Sequence, residues 1–236
     1  MTLREAVERD KGRRVFSSGS GSLDRMLGGG FRTGEMVEVF GASATGKTQL
    51  ATQSTLGVAS AGLSCAYVDS EGKFRPERLA SMCESRGLDP AKILPLVYCI
   101  RVDDTQQQLA AIGMVNENEN LRNCAMVVVD TVTRNFTLEF GGARALASRQ
   151  TALGAYLNRL ARDSYGRDRA VLLLNRVATV GQEEEAREVD IGGETIRHFV
   201  QKVVHLRRRG DDVYASLAEE TREAEVRMRI TARGLE

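Results

Sequence analysis

The residues Gly41-Ala42-Ser43-Ala44-Thr45-Gly46-Lys47-Thr48 fit the pattern G-x-x-x-x-G-K-[ST] in full. Glycines at both ends let backbone N–H groups curl around phosphate oxygens, and a helix opening at Lys47 adds the partial positive charge of its N-terminus. In such a loop Lys47 reaches the β- and γ-phosphates, Thr48 coordinates Mg²⁺, and Gln49 follows on the first helical turn. The chemistry is that of ATP·Mg²⁺ binding. Other parts of a hydrolytic site accompany it. Asp130 closes the apolar run AMVVVD, where a carboxylate holds the Mg²⁺ hydration shell. YVDSEG (67–72) ends a second run in two acids. Glu71 is expected to polarise the attacking water as a general base, and Asp69 to be structural. Asn175 and Arg176 follow the run VLLL and are expected to sense the γ-phosphate from the sheet edge at which open α/β sheets bind ligands.

These groups need elements to position them. Met36–Phe40 reads as a strand running into the phosphate loop, and Lys47–Ala61 as a helix stopped by Gly62. Ser64–Val68, Leu96–Val102, Ala125–Val129 and Ala170–Leu174 are further short apolar runs of strand length. The last two have the continuous character of strands buried on both faces. Between them Pro76–Arg86, Gln106–Glu117 and Arg149–Arg162 read as helices, the last with Leu153, Tyr156, Leu157 and Leu160 on one face. A short helix carrying Leu23 and Leu27 precedes the first strand. After residue 195 the pattern changes, and Lys202–Leu206, Val213–Leu217 and Val226–Ile230 read as antiparallel strands. Strands alternating with helices predict an α/β fold, a mostly parallel sheet covered on both faces, with the antiparallel strands added at its C-terminal edge. Residues 17–236 are expected to form one domain, preceded by a short charged segment over residues 1–16.

Composition sets the frame. Of 236 residues, 42% are apolar and 28% charged, which excludes a wholly disordered chain. No window is long and apolar enough for a membrane helix. The opening MTLREAVERDKGRR carries acids and lacks an apolar core, so it is no secretory signal. A cytoplasmic location is expected, with no membrane partner. Cys65, Cys83, Cys99 and Cys124 lack CxxC-type spacing and read as reduced core thiols. The net charge of +1 neither favours nor opposes nucleic acid, because distribution decides that.

Beyond the phosphate loop, SSGSGSLDRMLGGGFRTGE, YVDSEGKFRPERL, VVVD, the SRQ of 148–150, LLLN, GGETIRH (192–198) and ITARGLE run from about Ser17 to the C-terminus. Together they resemble the RecA/RadA recombinase superfamily, and within it the RadB group of short archaeal paralogues. FRPERL, SRQ and GG-x-x-I-x-H are its more specific marks. The resemblance implies a RecA-type core, a DNA-linked and slow Mg²⁺-dependent ATPase, and a role in recombination and repair that assists a main RadA-type recombinase. It makes Glu71 the water-activating glutamate, keeps Lys47, Thr48 and Asp130 in the roles above, and makes Arg78 the residue that stacks on adenine, which suits a planar guanidinium. The family's usual Gln stands as Arg176 here. An Arg either clamps the γ-phosphate or uncouples it from the second DNA loop; the clamp is expected. No Phe-x-x-Ala motif precedes residue 36, and Phe140-Gly141-Gly142-Ala143 matches only by letters, so long filaments of this chain alone are not expected.

Single-stranded DNA is held by basic grooves and aromatic platforms. By the resemblance, residues 134–149 are the first DNA loop, offering Arg134, Phe136, Phe140, Arg144 and Arg149. Residues 177–190 are the second, but Glu183, Glu184, Glu185, Glu188 and Asp190 face a lone Arg187 and repel phosphate. At the C-terminal edge Arg207, Arg208, Arg209, Arg227 and Arg229 form a second candidate surface, or a charged edge that resists aggregation. The acidic loop leaves open a different class, a KaiC-like regulatory ATPase acting through protein partners without DNA. His198 and His205 read as structural, and Lys73 has no evident role.

Overall fold

The runs Met36–Gly41, Ser64–Asp69, Cys124–Asp130 and Ala170–Asn175 are buried along their whole length, as their continuous apolar character requires of central parallel strands. The structure, a computed structural model, describes residues 2–180, 187–218 and 225–236. In chain order the elements are α1 (Leu3–Lys11), β1 (Val15–Phe16), α2 (Gly21–Met26), β2 (Phe31–Arg32), β3 (Met36–Gly41), α3 (Lys47–Ser60), β4 (Ser64–Asp69), α4 (Pro76–Ser85) and α5 (Pro90–Ile93). Then follow β5 (Val97–Arg101), α6 (Thr105–Glu117), β6 (Cys124–Asp130), α7 (Arg134–Glu139), α8 (Leu146–Arg167), β7 (Ala170–Asn175), β8 (Val177–Val180), β9 (Arg187–Asp190) and α9 (Gly193–Arg197). The chain closes with β10 (Lys202–Arg209), β11 (Asp212–Leu217), β12 (Val226–Thr231) and β13 (Gly234–Leu235).

One sheet carries the order β13-β12-β11-β10-β3-β7-β6-β4-β5. From β10 to β5 all neighbours are parallel, and β11, β12 and β13 continue the edge antiparallel. Successive side chains point to opposite faces, so Met126 and Val128 of β6 join the core under α3 and α4, while Val127 and Val129 join the core under α6 and α8. The fold class is the expected one.

Helix ends follow from local chemistry. Asp104 caps α6 through the N–H of Gln107, Pro76 opens α4 where its missing N–H is harmless, and Gly62 and Gly87 take left-handed φ just beyond α3 and α4. The helix α3 is buried nearly all round, and its polar residues bond locally: Thr52, Ser54 and Thr55 donate to carbonyls three or four residues back. Gln53 reaches further. Its Nε2 donates to the carbonyls of Ser18 (2.6 Å) and Leu235 (3.1 Å), and its Oε1 accepts the N–H of Leu235 (2.6 Å).

Three readings need correction. Cys99 is exposed, not a core thiol, because β5 is the last strand of the sheet. Residues 134–149 are largely helical: α7 fills Arg134–Glu139, and α8 starts at Leu146, three residues earlier than its apolar spacing suggested. The second loop has paired arms, β8 against β9, in register from Val177↔Asp190 to Val180↔Arg187. The acidic Glu183, Glu184 and Glu185 lie outside the described residues.

Candidate nucleotide site

A cleft of about 690 Å³ opens where β3, β4, β6 and β7 end, and the phosphate loop forms its floor. Two glycines make the loop possible. A Cβ at Gly41 would stand 2.3 Å from the Leu206 carbonyl oxygen, because β10 is paired against the loop's first residue. Gly46 holds φ +94° at the start of α3, where no side chain caps the helix. The first-turn N–H groups of α3 thus face the cleft as an anion site.

Lys47 folds back over the loop and donates to the carbonyls of Gly41 and Ala42, both at 2.7 Å. Burial lowers the pKa of its ammonium, against the charges of Asp130 and Glu71. Asp130 is 3% exposed, and one of its oxygens accepts from Thr48 Oγ1 (2.8 Å) and from the Tyr67 hydroxyl (2.7 Å). Burial pushes its carboxyl up, and these two donors oppose the rise. Thr48 and Asp130 therefore meet as an all-oxygen pair, which suits Mg²⁺ and its tightly held waters. The cleft size, the uncapped helix start and this donor set fit a bound nucleotide–Mg²⁺.

Asp69 takes its expected structural role. Its Oδ1 accepts the N–H groups of Glu71 (3.1 Å), Gly72 (2.8 Å) and Lys73 (3.2 Å), and its Oδ2 that of Phe74 (3.0 Å). That cradle fixes Glu71 at the cleft wall. Glu71 accepts from Thr131 Oγ1 (3.0 Å) and Arg176 Nε (2.7 Å), and is also ion-paired with Lys73. Burial pushes the Glu71 carboxyl up, but the hydrogen bonds from Lys73, Arg176 and Thr131 more than offset it and hold it at about 2.

Lys47, Thr48, Gln49, Glu71, Asp130 and Arg176 thus come together. Arg78 and Asn175 stand outside the cleft lining. Arg78 bonds Gln49 Oε1 (2.9 Å) and the carbonyls of Thr231 (2.9 Å) and Ala232 (3.2 Å). Asn175 is fully buried; its amide nitrogen bridges Glu38 and the Ile191 carbonyl, both at 2.7 Å, while its oxygen accepts from Thr133 Oγ1 and from the N–H of Arg176. Glu38 itself went unnoticed in the sequence, although an acid inside the strand MVEVF is a signal: such a group is buried only with partners. Lys73 and Arg208 were also missed as cleft residues; Arg208 donates to the Ala44 carbonyl at 3.3 Å.

The candidate DNA surfaces divide. Phe136 is in the core and Phe140 packs partly against it, so neither is a free platform for bases. Arg134 donates to Asn135, Arg149 donates to the Phe140 carbonyl, and Arg144 is exposed. At the C-terminal edge Arg207 and Arg209 pair with Glu225, and Arg227 and Arg229 pair with Asp212. His205 stacks on Phe40 and bonds Glu188 at 3.2 Å, a structural placement.

Comparison with known proteins adds kinship to this geometry. The Rad51 family matches over residues 11–236. The DNA repair and recombination protein RadA of Metallosphaera sedula is 34% identical over 234 residues, covering 93% of this chain and 71% of the relative. RadA of Aeropyrum pernix is 34% identical over 204 residues, covering 82% of this chain and 63% of the relative. A phosphate loop, a strand-end Asp130 and a cradled Glu71, set in a match that runs from residue 11 to residue 236, place the chain in the Rad51 family of RecA-like proteins.

Proposed function

We propose that this chain is an ATP-binding, slowly ATP-hydrolysing accessory protein of homologous recombination and DNA repair, of the RadB kind, which binds DNA and assists a main RadA-type recombinase. The observation that carries the reading is the convergence of Lys47, Thr48, Asp130 and Glu71 on one cleft at the strand ends. In this reading Lys47 and the uncapped start of α3 hold the phosphates, and Thr48 and Asp130 hold Mg²⁺ and its waters. Bound Mg²⁺ would supply charge neutralisation at the β- and γ-phosphates. Glu71, kept ionised, accepts a proton from the attacking water once its own partners release it. Gln49 borders the base, Arg78 stacks on adenine only on leaving its bonds to Gln49, Thr231 and Ala232, and Asn175 lies behind the cleft, joining the phosphate-loop strand to the segment after β9 through Glu38 and Ile191.

The DNA contact is assigned to Arg144 and Arg149 near the start of α8 and to Arg134 at the start of α7. Arg207, Arg227 and Arg229 contribute only as far as DNA competes with their acids. That pairing supports weak, salt-sensitive binding to single strands at this edge. Residues 17–236 act as one unit. The protein is taken to act in the cytoplasm; among the described residues no helix is long and apolar enough to cross a membrane.

The test is single-stranded DNA binding by fluorescence anisotropy, with and without ATP·Mg²⁺, across a salt series. Salt-sensitive binding that changes with nucleotide is expected. No binding near physiological salt in either nucleotide state would overturn the recombination reading and leave a KaiC-like ATPase acting through protein partners.

A further inference from the structure

Lys73 and Arg176 reach the same carboxylate from different parts of the chain. Lys73 Nζ bonds one oxygen of Glu71, and the Arg176 guanidinium bonds the other through both Nε and Nη2. Two full positive charges on one carboxylate are one more than its neutralisation needs. The three side chains differ in freedom. Glu71 is 7% exposed and cradled by Asp69, whereas Lys73 is 58% and Arg176 49% exposed. The cations can swing away without unpacking the core, and the carboxylate cannot follow. Both line the cleft together with Lys47. Thr131 Oγ1 is a third donor to Glu71 and belongs to the buried frame, so it stays when the cations leave. While both grip it, Glu71 is a poor proton acceptor, because two cations on its two oxygens stabilise the charged form.

We propose that Lys73 and Arg176 are this chain's own γ-phosphate ligands: without a γ-phosphate they hold Glu71 closed, and when a nucleoside triphosphate enters they pass from Glu71 to the terminal phosphate. The inference rests on the reading of the cleft as an ATP site and deepens it. Ligand exchange is the expected outcome of charge, since a terminal phosphate offers more negative charge and three acceptor oxygens against the carboxylate's two. It leaves Glu71 held by Thr131 alone and open to a water proton. A diphosphate has no phosphate at the γ position to draw the cations off, so Glu71 stays closed with ADP bound. With Lys47, three cations then meet the phosphates within one chain, and the site needs no cation from a neighbour.

The experiment is isothermal titration of the full chain with Mg²⁺ and either ADP or a non-hydrolysable imido analogue of ATP. Lys73→Ala should weaken the triphosphate analogue about tenfold or more and leave ADP within about twofold, and Lys73→Arg should restore most of the loss. Glu71→Gln removes the competing charge and should tighten the analogue. Turnover per chain should stay constant over about a hundredfold dilution, since the cations are internal. Equal loss for both nucleotides, no loss for either, weaker analogue binding in Glu71→Gln, or turnover that falls on dilution would overturn the inference. Wild-type protein that binds neither nucleotide would instead overturn the reading of the cleft itself, and the inference with it.

Discussion

Glu38 offers a measurement that probes the site from beneath. It is fully buried in the strand that carries the phosphate loop, and its carboxyl is raised from 4.5 to about 8, by burial first and then by the charge of Asp190. The hydrogen bond from Asn175 and the charge of Arg197 oppose that rise without cancelling it. At neutral pH the folded protein therefore keeps a proton on Glu38 that the unfolded chain has released. Stability from this group is full below the unfolded value and declines as pH rises, until the folded carboxyl ionises near 8. Across that window each pH unit removes about 1.4 kcal/mol. Between about pH 5 and pH 8 the sum is about 4 kcal/mol, a ceiling that relaxation of the site reduces. Glu38→Gln has the same shape, still accepts from Asn175, and has no proton to lose. Its amide group also supplies a donor at the position of Glu38 Oε2, which has no partner among the described residues. The variant should match the wild type near pH 5 and exceed it by about 3 kcal/mol near pH 8, read from urea denaturation at fixed ionic strength. Parallel stability curves across the range would refute the protonated carboxyl. A variant less stable at every pH would mean that Glu38 is ionised and well paired.

Tyr67→Phe removes one of two donors to a single oxygen of buried Asp130, a hydrogen bond to a charged group. It should cost about 2 kcal/mol and lower Tm by about 4–8 °C in a thermal melt; an unchanged Tm would show that Thr48 alone satisfies that oxygen. Asp212→Asn releases Arg227 and Arg229 from their shared acid. Single-stranded DNA should then bind more tightly with a steeper salt dependence, and an unaltered slope in the anisotropy assay would show that this edge does not meet DNA.

The parts of the site that the sequence revealed are those whose geometry is local. A phosphate loop needs only a strand, eight residues and a helix start, and all three are contiguous. Asp130 was visible because it ends an apolar run, and Asp69 because it precedes a turn whose N–H groups it can gather. The α8 start leaves no signal in the sequence, because Ala145 at its N-cap offers no capping side chain. Cys99 was misread because LVYCI has the composition of a central strand, and only the strand order puts it at the edge. Neither the grip of Lys73 and Arg176 on Glu71 nor the bridge from Asn175 to Glu38 leaves a trace in spacing. Lys73 is only two residues from Glu71, but the Arg176 and Asn175 contacts are set by which strands are neighbours, and they join residues 105 and 137 positions apart in the chain.

The bonds of Gln53 to Ser18 and Leu235 make the chain nearly circular: everything between residues 18 and 235 is a loop whose two ends meet at one amide. The meeting point is the midsection of the helix that opens on the nucleotide cleft. One buried amide thus links a segment near the start of the core to its outermost strand. Gln53 therefore ties both segments to the helix that carries Lys47 and Thr48, so that its loss would loosen the three together.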